Sequence, residues 1–300
     1  SLYYFSPAMI SISNAISIGR PVVSSESFLL DQYGSDVIAA YSVRRLSSTY
    51  TGNALRVRRQ SDDQEIDLGF DSDGNLDTSP ISSFIIQAGE GGFVSKWYDQ
   101  SGNSRDAVQT SNLLQFKIVS NRTVITKNSI PTMQGTSISN RMDISGIPTT
   151  SQPICSFEAY ANDGIPNGSI VSLFKGANGA GKTVDVLRFD YATVSNVPKI
   201  KLFTSDGGLN TSSTPAFSAP SDTDIHIVTR VVDTGESAIF LDGISQGTLD
   251  NSPLDAQIGG ANQERLGGLN TIGFLSEFML FDSNKSADRV AIEDNMKDYY

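Results

Sequence analysis

The chain has 300 residues, of which 18% are charged, and 22 Lys and Arg against 33 Asp and Glu give a net charge of −11. That balance argues against nucleic acid or an anionic membrane as partner. One cysteine and one histidine exclude an internal disulfide and a multi-cysteine or multi-histidine metal site, so neither a metal nor another cofactor is expected.

The length suits one large β-sandwich, and no apolar run approaches a membrane span. Residues 1–27 alternate apolar and small polar residues in two short runs and break at Gly19-Arg20-Pro21, which reads as an arm or anchor segment ahead of a main domain at 28–300. The start lacks the basic region of a signal peptide, and Ser1 fits a chain whose initiator Met was removed, so residue 1 is expected near the natural start.

Val37–Leu46 opens the main domain as a strand, and Ala54–Arg59 alternates strictly, with Arg56, Arg58 and Arg59 expected on a solvated strand face. Ile66–Phe70 is its partner. Asp71–Asp77 resembles a calcium loop, but its Gly74 is the fourth residue rather than the sixth and position twelve is Ser82, so a turn is expected. Ser79-Pro80 then opens a short helix. Phe93–Tyr98 is a strand carrying Trp97, the only tryptophan, and it breaks at Asp99-Gln100-Ser101-Gly102-Asn103. An Asp just ahead of Ser-Gly can accept backbone N–H bonds and hold such a turn shut.

Three separated blocks, AAYSVRRLSSTYTGNALRVRR (39–59), IDLGFDSDGNLD (66–77) and KWYDQSGN (96–103), resemble the catalytic domain of the fungal α-L-arabinofuranosidases of glycoside hydrolase family 54 and its relatives among bacteriophage structural proteins. The likeness extends loosely to the C-terminus. It implies an all-β fold, a concanavalin-A-like or laminin-G-like jelly-roll β-sandwich with a short C-terminal helix. The short strands that follow support the same architecture independently: 116–119, 170–174, 184–189, 200–203, then the pair 225–232 and 238–243 with an Asp-Gly turn, and finally 274–281. His226 falls on a strand face. A helix over 286–300 carries Asp288 in its first turn and Ile292, Met296 and Tyr299 on one stripe. Gly176–Thr183 matches a phosphate-binding P-loop literally, but a strand follows it rather than a helix, so it reads as a hairpin loop.

The resemblance also makes hydrolysis testable residue by residue. A retaining glycosidase needs two carboxyls flanking the scissile bond. The family's acid/base is an Asp directly after an Ile-Gly-Gly string; here Ile258-Gly259-Gly260 is followed by Ala261. The family's nucleophile is a Glu near the end of a mid-domain strand, and Ser205 stands at about that place, with Asp206 beside it. The family's vicinal cysteine pair is impossible with one cysteine. The expectation is therefore a non-enzymatic virion component (fibre, decoration or receptor-binding protein) on the particle surface, homo-oligomeric and attached to other virion proteins through residues 1–27. Its jelly roll would face host surface glycan, with Asn178, Asp206 and Asn262 as candidate carbohydrate contacts. The alternatives are a hydrolase with relocated carboxyls, such as Asp206 with Glu264, and a free carbohydrate-binding module.

Overall fold

Strands that alternate in sequence also alternate in burial. In β2 (Leu55–Arg59) Leu55 and Val57 are buried while Arg56 faces outward, and β3 (Glu65–Leu68) pairs with it antiparallel, Asp67 opposite Arg56 and Leu68 opposite Leu55. The computed structural model describes residues 28–137, 139–148, 150–161, 220, 222–233, 235–248, 264–267 and 273–300 in full. It describes the backbone alone of strands at 170–177, 183–190, 192–194, 197–200, 202–205, 211–213, 217–218, 249–250 and 257–258. The expected arm, residues 1–27, lies outside the described residues.

The strands form two layers. In the first, β17 (Gly273–Phe281) is central, with β1 (Val37–Ser42) and β7 (Met133–Gly135) along one edge and β9 (Ile154–Ala161) along the other. Outward from β9 follow β13 (Ile225–Val232), β14 (Glu236–Leu241) and β15 (Ile244–Asp250). The second layer runs from β3 through β2 to β4 (Gly92–Trp97), whose far edge is shared by β5 (Ala107–Val108) and β6 (Phe116–Ser120). It continues from β5 to β8 (Arg141–Ile144), β16 (Glu264–Gly267), β10 (Ile170–Ala177), β11 (Thr183–Asp190) and β12 (Leu202–Ser205). One pairing, Lys117 with Gln134, carries the hydrogen bonding from β6 across to β7 and joins the layers.

Between the layers Tyr41, Phe278 and Leu280 from the first meet Leu55, Trp97, Met142 and Leu266 from the second in one core. A second core lies on the outer face of the first layer, where Ala40, Phe157, Met279 and Phe281 are covered by Leu29 of helix α1 (Leu29–Tyr33) and by Ile292 and Met296 of α3 (Arg289–Tyr299). The protein is thus an all-β sandwich with a short C-terminal helix, as expected.

Asp242 and Gly243 take positive φ of 51° and 86° and join β14 to β15 in the two-residue hairpin turn their types favour. β10 and β11 pair antiparallel, with Ala177 opposite Thr183, so the P-loop-like string spans a hairpin. The short helix α2 (Ile81–Phe84) forms, but Ser79 does not cap it; the Ser79 N–H instead donates to Asp77. Asp71 Oδ1 accepts the N–H groups of Asp73 and Asn75 at 3.0 and 2.8 Å, making the expected turn.

Candidate functional site

The string that carries the sequence resemblance has a structural task. Asp99 lies just beyond β4 and its carboxylate accepts four bonds, from the N–H groups of Ala40, Ser101 and Arg105 and from the Ser101 hydroxyl, at 2.8–2.9 Å. Gln100 accepts from the Leu46 N–H and donates to the Ser42 and Arg44 carbonyls, while Asn103 donates to the carbonyls of Val37 and Ile38. Together these side chains tie the corner after β4 to β1 across some 60 residues of sequence. Trp97 is fully buried beside Tyr41, ring centroids 5.6 Å apart.

The place where β4 changes partner is different in kind. Val57 opposes Val94 and Arg56 opposes Lys96, so β4 has one residue more than β2 between these pairs: Ser95. Along its other edge β4 pairs with β6 at Val94 and with β5 at Lys96. Ser95 is therefore a bulge at a fork, and the chain between β5 and β6 loops out over it. The result is a groove of about 310 Å³ on the outer face of the second layer. Its rim and floor include Arg56, Arg58, Ser95, Lys96, Gln109 and Asn112, joined by Gln115 and Glu65.

The floor is polar and firmly held. Arg58, read from sequence as solvated, is buried: its Nε donates to Gln115 Oε1 at 2.8 Å and its Nη1 to Asp63 at 2.6 Å. Gln115 in turn donates to the Gln109 carbonyl, and Gln109 Nε2 donates to the Arg141 carbonyl and to Asp143. The Gln109 N–H donates to the Ser95 carbonyl at 2.9 Å, which fixes the fork. Ser95 itself is 7% exposed, and its hydroxyl has no hydrogen-bond partner. A buried hydroxyl left unpaired costs about 1–3 kcal/mol unless water or a ligand meets it.

On the rim Arg56 grips Asp67 through two bonds of 2.7 and 2.9 Å and holds that carboxyl below the usual carboxylate range. Tyr98 donates its hydroxyl to the same Asp67, and burial together with this bond pushes the phenol up to about 12. Lys96 sits 3.2 Å from Asp106 and over the Tyr98 ring. Every cation here faces a carboxylate, so the groove offers fixed donors and acceptors with little excess charge. Leu113, 85% exposed in the loop over the fork, adds an apolar tip.

No protein-family model matches the chain, and no curated protein matches it in sequence. Solved structures match its fold. A family GH54 α-L-arabinofuranosidase soaked with a cyclic sulfate inhibitor aligns with a TM-score of 0.63 at 14% identity. An arabinofuranosidase complexed with arabinofuranosyl-α-1,2-xylobiose aligns with 0.60 at 15%. Both alignments cover 88% of this chain and 63% of the enzyme, so the chain spans less than two thirds of their length. At such identity the likeness is one of architecture, and it agrees with the fold implied by the three sequence blocks.

The carbohydrate contacts expected from that resemblance, Asn178, Asp206 and Asn262, lie outside the described residues, as does Ala261. The groove was not anticipated from sequence. A signal for it exists: Val94 and Trp97 are both core residues, three apart in a strand, which period-two alternation forbids unless a bulge intervenes.

Two further polar clusters are structural in geometry. Glu158 and Arg230 form a fully buried pair at 2.7 Å; removal from water pushes the Glu158 carboxyl up, to about 7, against the pull of the guanidinium. His226 lies on its strand between Asp222 and Asp242, 2.7 Å from each, and its bond to Asp242 leads in raising its pKa to about 9. Both its nitrogens are engaged, so it is not a free base.

Proposed function

We propose that this chain is a non-enzymatic, carbohydrate-binding β-sandwich protein of a bacteriophage particle, and that the groove at the β4 fork is a place where it meets sugar. The observation that carries the sugar reading is the groove's floor: a buried hydroxyl without a partner, surrounded by amide and guanidinium groups locked by their own bonds. Planar polar side chains held rigidly, with paired charges, suit a ligand rich in hydroxyls and without net charge. The particle setting rests on the sequence resemblance, with residues 1–27 as the attachment to other virion proteins.

The non-enzymatic reading rests on Ala261 and Ser205 where the resembled family has its two carboxyls. The alternative pair, Asp206 with Glu264, is disfavoured on one side: Glu264 is 1% exposed and shares the core face of β16 with Leu266.

Calorimetric titration with arabino- and xylo-oligosaccharides, run beside a reducing-sugar assay, tests both halves. Saturable binding that Lys96→Ala and Asn112→Ala each weaken about tenfold, with no sugar released, is the expected result. Binding indifferent to both variants, or absent, removes the groove from the proposal; released sugar ends the non-enzymatic reading. Co-sedimentation of the full chain, but not of a chain lacking residues 1–27, with phage particles is expected for the virion setting.

A further inference from the structure

The groove is the middle of something longer. Reading directly opposed residues from strand to strand, Asp67 of β3 faces Arg56 of β2, Arg56 faces Lys96 of β4, and Lys96 faces Val108 of β5. Val108 then faces Asp143 of β8, and Asp143 faces Arg265 of β16. Six strands thus contribute one residue each to a single row. The neighbours in these strands, Leu68, Leu55, Trp97, Ala107, Met142 and Leu266, are core residues, so the row lies on the outer face throughout. At about 4.8 Å between strands the row is about 24 Å long, well beyond what a single sugar ring touches.

We infer that this row is an extended track for a linear, uncharged polysaccharide lying across the strands, with the groove as its central subsite. The inference rests on the reading of the groove given above. Charge decides the class of occupant. The row mixes carboxylates and cations rather than presenting a basic stripe, and four of its five charges are held by a counter-charge: Arg56 and Asp67 by each other, Lys96 by Asp106, Asp143 by Arg141 at 3.1 Å. A polyanion would meet Asp67 and Asp143 in its path and a chain of net charge −11 around them. An apolar partner would find only Val108. Hydroxyls, which both donate and accept, match a row that does both at a fixed spacing. Asp143 also links track to groove, since it accepts from the same Gln109 amide that lines the floor.

Affinity should therefore depend on chain length. Xylo- and arabino-oligosaccharides of one to six units, titrated calorimetrically against the full chain, are the probes. The expected Kd falls by about tenfold or more between the dimer and the pentamer. Asp143→Ala, at an exposed position toward one end of the row, should flatten that length series, whereas Lys96→Ala should weaken every length. Thermal melting of both variants checks that they fold. A Kd that does not change beyond the dimer, with Lys96→Ala still weakening it, overturns the track and leaves the groove standing. If no oligomer of either series binds, track and groove fall together.

Discussion

The two layers of the sandwich treat their outer faces in opposite ways. The outer face of the first is a second core: β9 and β17 are buried at every position, and α1 and α3 lie over them. In the second layer, β2, β3, β4 and β8 bury one face, and the other carries arginine, lysine and aspartate. The sequence difference is one of period. Phe274–Phe281 is almost continuously apolar, as a strand covered on both sides must be, whereas Leu55–Arg59 alternates. A face covered by its own helices has no room for a partner. A bare face with a groove over a bulge does, and that contrast puts the candidate site on the second layer.

The largest expected effect lies inside the first layer. Glu158 and Arg230 point to the same side as Ile154, Val228 and Val232, into the core between the layers, and are closed to water. Arg230→Leu leaves the Glu158 carboxylate buried without its counter-charge and should destabilise the protein by about 3–5 kcal/mol, read from denaturant midpoints. The double variant Glu158→Leu with Arg230→Met should recover most of that loss, because both charges and their desolvation disappear together. If the double variant is as unstable as the single one, packing at these positions, not the stranded charge, sets the cost.

A matched pair of truncations sharpens the comparison between faces. Ile292→Ala opens a hole where α3 meets the first layer and should cost about 2–4 kcal/mol. Val108→Ala removes an outward side chain in the middle of the second layer's row and should stay within about 0.5 kcal/mol. Equal losses would mean that the second face is also covered and closed to a ligand.

How much of this was legible in the sequence follows from what each feature depends on. Strands such as Ile225–Val232 and the Asp242-Gly243 turn are local: branched alternation and two residues tolerant of positive φ suffice to read them. The knot made by Asp99 and Gln100 was half legible, because an Asp ahead of Ser-Gly signals a held turn but not the partners 54 to 59 residues away in Ala40 and Leu46. Arg58 was misread for the same reason: its acid, Asp63, stands close to it in sequence, whereas Gln115, which draws it into the groove floor, arrives only through the pairing of β4 with β6. Ser79 looked like a helix cap because Pro80 follows it, yet no side-chain oxygen caps this one-turn helix. The candidate sugar contacts Asn178, Asp206 and Asn262 rest on a family resemblance alone and lie outside the described residues, and the groove had only a break in alternation at Ser95 to signal it.

A further predicted effect, smaller than the cost of either core variant, depends on pH and concerns the start of β13 in the first layer. His226 on β13 bridges Asp222 and Asp242, and Asp242 also accepts the Ile227 N–H at 2.8 Å beside the turn that approaches Glu293 and Lys297 of α3. Its pKa of about 9 in the folded chain is above the ordinary 6.5, so the protonated ring stabilises the fold. That contribution is complete below about pH 6.5 and is lost as pH rises through about 9. The partner Asp222 is held below its usual range by the same histidine, so its share fades only in acid. Since Asp222 is about half exposed, solvent screening reduces the clamp to about 1–2 kcal/mol. Urea unfolding of the wild type and of His226→Gln should therefore differ most near pH 6, and the two curves should approach each other toward pH 10. A gap that is constant over this range would mean that the histidine holds its place by packing and neutral hydrogen bonds, with no proton bound on folding. The variant should leave sugar affinity unchanged, because the bridge belongs to the covered layer and the groove to the bare one.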